Sequence, residues 1–147
     1  MKFMLLNGPN LNMLGIREKE IYGQASYGDL LAKALSWAAG NDVTVECRQS
    51  NHEGVLIDWI QEAYFEKYDG VVLNPGGYTH TSIALADAIK AISPLPVVEV
   101  HISDVGSRED FRRVSYCRAV CAATIAGHGF DGYIEALELL KSLALRK

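Results

Sequence analysis

Glu99-Val100-His101 sets a carboxylate and an imidazole two residues apart in an apolar run. Side chains alternate along a strand, so both groups fall on one face. A carboxylate beside an imidazole fixes its tautomer and raises its basicity, which equips His101 for general acid or base work. The same spacing also suits a satisfied structural pair. Tyr22 and Arg17 are the second candidate pair. A phenol with an ordinary pKa of about 10 is a poor base at neutral pH, but a nearby guanidinium stabilises its phenolate. On chemistry alone this pair reads as a loop arginine with a tyrosine that packs the loop. Asn10, Asn74, His80, Ser103, Arg108, Arg112 and Arg113 complete a polar set suited to a small polyhydroxylated carboxylate, because guanidinium groups take carboxylates in a bidentate way.

The elements that must position these groups centre on the run from Gly70 to Ile83, GVVLNPGGYTHTSI. Val71, Val72 and Leu73 read as a strand buried on both faces, and Asn74-Pro75-Gly76-Gly77 as a turn. Thr79, Thr81 or Ser82 could cap the helix that follows, with His80 at its mouth, as a site residue or as a plain cap histidine. Lys2 to Leu6 gives a first strand ending in Asn7-Gly8-Pro9-Asn10. From Met13 to Ala25 both periods vanish, which predicts a loop with glycines near both ends, a mobile lid over the sheet edge.

Ser26 and Asp29 have the shape of a capping box for a helix over 27–39. Val43 to Gln49 reads as a second strand, and Val55 to Tyr64 carries helical spacing. Val97 to Ile102 and Val120 to Ala126 read as the fourth and fifth strands, and Phe130 to Leu145 as the last helix. Strand and helix therefore alternate five times. This predicts an α/β protein, a flavodoxin-like open sheet of five parallel strands in the order 2-1-3-4-5, with helices on both faces. Strands one and three then adjoin at the switch point, so Asn10 and Asn74 should face one another across a cleft.

The 147 residues fit a single catalytic domain over 1–147. A composition 49% hydrophobic and 22% charged fits a compact core and argues against disorder. A net charge of −4 gives no electrostatic reason for a nucleic acid partner. The start, MKFMLLNGPN, reads as a core strand rather than a signal peptide, and no window reaches membrane-spanning length, so a cytoplasmic protein is expected. Cys47, Cys117 and Cys121 lack paired metal-ligand spacing and read as buried free thiols, and no metal site is expected. There is no Gly-x-Gly-x-x-Gly and no phosphate-binding loop sequence, and no cofactor is called for.

With these residues assembled, the chain resembles the type II 3-dehydroquinate dehydratases. The resemblance rests on Asn7-Gly8-Pro9-Asn10-Leu11-Asn12, Leu14-Gly15-Ile16-Arg17-Glu18 with Ile21-Tyr22-Gly23, and Arg48-Gln49-Ser50-Asn51. It continues through Asn74 to Ser82, Glu99 to Ser103 and Arg108 to Arg112. It implies dehydration of 3-dehydroquinate to 3-dehydroshikimate by anti elimination through an enolate, without a Schiff base. By the same resemblance, Tyr22 as a tyrosinate takes the proton beside the ketone, Arg17 stabilises that anion, and Asn10 orients a water at the enolate oxygen. His101, held by Glu99, protonates the departing hydroxyl.

Asn74, with the backbone N–H groups of Ile102 and Ser103, would hold the carboxylate, while His80 and Arg112 bind ring hydroxyls. The resemblance also implies a dodecamer built of trimers, with Asp87 reaching a neighbour's site. It reverses the structural reading of the Tyr22–Arg17 pair. The chain departs from the usual pattern at Asp104, where many members have Asn, at Lys19, where a proline is common, and in Cys117 to Cys121 and Gly127-His128-Gly129. An added charge at Asp104 is expected to oppose an acidic substrate, and Lys19 to leave the lid less pre-set. Two alternatives share the same pocket: an enzyme acting on a related cyclic hydroxy acid, and a flavodoxin-like binding module with no chemistry.

Overall fold

A computed structural model describes residues Met1–Lys147. Five parallel strands, β1 (Lys2–Asn7), β2 (Thr44–Gln49), β3 (Gly70–Asn74), β4 (Val97–His101) and β5 (Ala123–Ala126), form one sheet in the order β2-β1-β3-β4-β5. This is the expected flavodoxin-like order. Alternation along β1 divides the core: Phe3 and Leu5 enter one apolar cluster, Met4 and Leu6 the other. The first cluster is closed by α2 (Tyr27–Gly40) and α5 (Asp131–Leu145), the second by α3 (Glu53–Phe65) and α4 (Ile83–Ala91). β1, β3 and β4 are buried on both sides because both sides of the sheet are covered. At Gly70 a Cβ would stand 2.7 Å from Leu140 Cδ2, so the missing side chain is what lets α5 sit against β3.

The helix starts follow their caps. Ser26 Oγ accepts from Asp29 N at 3.1 Å and Asp29 Oδ2 accepts from Ser26 N at 2.8 Å, a complete capping box at the head of α2. Ser82 Oγ accepts from Leu85 N at 2.9 Å and caps α4. Thr79 does not cap that helix; it is fully buried and its hydroxyl turns to Glu99 instead.

Two expected boundaries move. The fifth strand begins at Ala123 rather than Val120, because Val120 and Cys121 N–H both donate to Cys117 O at 3.1 Å and bend the chain into a turn. The loop from Met13 to Ala25 contains one helical turn, α1 (Lys19–Tyr22). Its two feet touch: a Cβ at Gly15 would stand 3.1 Å from Gln24 O and 3.2 Å from Ser26 Cα, and Gly15 itself has φ +83. Lys19 is the first residue of that turn, where a proline would also fit without loss of a backbone bond.

Candidate active site

A cavity of about 130 Å³ opens at the carboxyl ends of β3 and β4, beside the switch point between β1 and β3. The turns after β1 and β3 meet directly, with Gly8 N donating to Asn74 O at 2.8 Å. Asn10, Asn74, His80, His101, Ile102, Ser103 and Arg112 line the cavity from the sheet side, and Arg17 and Tyr22 from the loop. Asn10 and Asn74 both border it. Three arginines and two histidines border the space, and no Asp or Glu does. An anion is the ligand this charge balance favours.

Tyr22 sits at the focus of two guanidinium groups. Arg108 Nη1 donates to its hydroxyl oxygen at 2.9 Å and Arg17 Nη2 at 3.3 Å. The Arg17 guanidinium also lies 4.5 Å from the centre of the ring. Arg108 belongs to the polar set read from the sequence, but nothing in its spacing, 86 positions from Tyr22, pointed to this contact. Glu109 accepts from Arg112 Nε at 2.6 Å and lies 3.9 Å from Arg108 Nε.

Beneath the cavity, His101 Nε2 meets Glu99 Oε1 at 2.6 Å, with Glu99 fully buried and His101 only 5% exposed. Thr79 donates to the same carboxylate at 2.5 Å and Thr124 at 3.1 Å, and Ser115 stands 2.7 Å from Thr79. Burial pushes the Glu99 carboxyl up, but the hydrogen bond and charge of His101, with the hydroxyls of Thr79 and Thr124, outweigh it and hold the carboxyl below its ordinary value. An ionised Glu99 accepts the proton on Nε2, which leaves Nδ1 as the nitrogen with no partner in the chain. The two-residue spacing announced the Glu99–His101 pair; the three hydroxyls come from separate elements and carried no such signal.

The other groups divide by what they offer. His80 Nδ1 lies 2.6 Å from Val114 O, and a carbonyl only accepts, so Nδ1 carries the proton and Nε2 is left as an acceptor. Neither Ile102 N–H nor Ser103 N–H donates to an acceptor in the chain, although Ile102 is 93% covered by its relative exposure of 7%. Asn74 Nδ2 donates to Tyr133 Oη at 2.8 Å and Asn74 Oδ1 accepts from Gly76 N at 3.1 Å, which leaves one amide hydrogen unpartnered. Asp104 does not line the cavity; its carboxylate accepts from Gly106 N at 3.2 Å. Asp87 does not line it either and lies exposed on α4.

A larger hollow of about 660 Å³ lies at the opposite end of the sheet, between Ile89–Val97 and Ala119–Ala122. Its walls are mainly apolar, Lys90 and Lys147 being the charged residues on them. It lacks the convergent polar groups that chemistry requires. No cluster of His, Cys, Asp and Glu is placed to hold a metal ion.

The sequence matches the family described as dehydroquinase class II over residues 1–141. A 3-dehydroquinate dehydratase from Fusobacterium nucleatum is 54% identical over 142 residues, covering 95% of this chain and 96% of that protein. A 3-dehydroquinate dehydratase from Lachnospira eligens is 47% identical over 147 residues and is matched along the full length of both. The crystal structure of a type II dehydroquinase from Butyrivibrio crossotus superposes with a TM-score of 0.95 at 50% identity, covering 96% of this chain and 97% of that one.

Proposed function

The chain belongs to the class II dehydroquinase family, and on that premise we propose that it is a hydro-lyase that converts 3-dehydroquinate to 3-dehydroshikimate by anti elimination through an enolate. The observation that carries this reading is the placement of the Tyr22 oxygen between Arg17 and Arg108, at the rim of a cavity floored by His101. Tyr22 as a phenolate takes the proton from the carbon beside the ketone, and the electron pair of that C–H bond moves onto the ketone oxygen. Asn10 orients a water that donates to this enolate oxygen. The enolate then collapses, the C–O bond on the adjacent carbon breaks, and His101 Nδ1 gives its proton to the departing hydroxyl, which leaves as water. Glu99 offsets the positive charge that His101 carries beforehand.

Substrate is gripped by groups with unspent hydrogen-bonding capacity. The Ile102 and Ser103 N–H groups and the free Asn74 amide hydrogen hold the carboxylate, and His80 Nε2 and Arg112 take ring hydroxyls. The segment 13–25 acts as the lid, and its closure excludes water from the enolate. We place the working form as a dodecamer of trimers, in which Asp87 serves the neighbouring site. This is supported by the exposure of Asp87 away from its own cavity and by the exposed Ile83, Phe111, Val114 and Tyr116. A reducing compartment such as the cytoplasm suits the three free cysteines.

The test follows enone absorbance as purified protein meets 3-dehydroquinate. The parent chain is expected to give a steady rise, and Tyr22→Phe to lower kcat roughly 10²–10⁴-fold, the range of a lost general base. No rise with the parent chain ends the proposal, and a fully active Tyr22→Phe removes that residue from the base role.

A further inference from the structure

Behind the cavity, three polar side chains with almost no exposure form a chain that begins at the carboxylate grip: Asn74, Tyr133 on α5 and Asn7 at the end of β1. Its polarity can be read at one end from a group that only donates. Gly76 N–H only donates, so the atom of Asn74 it meets at 3.1 Å is Oδ1, and Nδ2 is turned to Tyr133 at 2.8 Å. The Tyr133 oxygen therefore accepts from Asn74, and its own hydrogen goes to Asn7 Oδ1 at 2.6 Å. Burial pushes the Tyr133 phenol well up, so this hydrogen is always present.

At the far end Asn7 is fully buried, with the Tyr27 phenol beside its side-chain amide. Reversing Asn74 would aim a carbonyl oxygen, rather than N–H, at the place where an anion is to sit.

We infer that Tyr133 and Asn7 are positioning residues that hold the Asn74 amide with its N–H edge toward the cavity, so that the site takes a carboxylate in preference to a neutral carboxamide of the same shape. This rests on the reading of Asn74 as part of the carboxylate grip. Tyr133→Phe deletes one oxygen, leaves the ring in place, and removes the acceptor that restrains Asn74. Asn7→Ala removes the acceptor for the Tyr133 hydrogen, which is then free to turn to Asn74 and draw its carbonyl oxygen round.

The experiment measures binding calorimetrically, without turnover, for quinate and for quinate carboxamide, with melting curves to establish folding. A purely structural loss would weaken both ligands alike, so the ratio of their dissociation constants is the readout. The preference for the acid is expected to fall roughly tenfold in Tyr133→Phe, about what one misaimed hydrogen bond to a charge is worth, and to fall in Asn7→Ala as well. If Asn74→Ala lowers the ratio while both other variants keep it, the positioning role is overturned. If Asn74→Ala keeps the ratio, the grip itself has been misassigned and the inference goes with it. Should one variant fail to fold, the other decides.

Discussion

Glu99 shows how much a single side chain can depend on partners far away in sequence. Its carboxylate has no exposed surface and is reached by His101, Thr79 and Thr124. Its pKa is lower folded than its ordinary 4.5, so the stability it contributes is present above that value and is lost as the pH falls through the depressed one. Glu99→Gln should destabilise the protein by about 1–3 kcal/mol at neutral pH. It should also flatten the loss of melting temperature below about pH 4.5. Melting curves taken across acid pH check both, and an unchanged acid limb would mean that other carboxylates govern it. The pairing with His101 was legible because a strand repeats every two residues. The contact of Arg108 with Tyr22 was not, because it joins two loops whose approach no local period encodes.

At the scale of elements, the cavity depends on two turns that pack backbone to backbone. A Cβ at Gly8 would stand 2.8 Å from Pro75 O and 2.9 Å from Pro75 C, so any side chain there must move main chain rather than a flexible tip. Gly8→Ala is therefore expected to cost about 1–3 kcal/mol in chemical denaturation, the usual penalty of overpacking. It should also raise KM by displacing Asn74; a variant of parental stability and KM would show the seam to be soft. Such a close approach leaves no trace in sequence beyond the glycine itself. Caps were easier to read, since Ser26 with Asp29, and Ser82 among the candidates for α4, bond to atoms three residues away. The start of β5 was misread because apolar residues serve a turn against the core as readily as a strand.

At the scale of the whole molecule, the alternation of strands and helices pointed to a parallel α/β sheet, and the strand order came from the flavodoxin-like arrangement of five such strands. The switch point then located the cavity. What stays illegible at this scale is anything that one copy of the chain does not contain. Asp87 lies exposed on α4, outside the cavity its own chain builds. If that carboxylate completes the site next door, each chain is half of two catalytic units, and damage to either half can be made good by a neighbour. Two preparations, one inactive through Tyr22→Phe and one impaired through Asp87→Ala, should then recover activity when dissociated together and reassembled, because hybrid rings bring an intact phenol beside an intact aspartate. Mixtures that stay no more active than the average of their parents would confine every working group to a single chain.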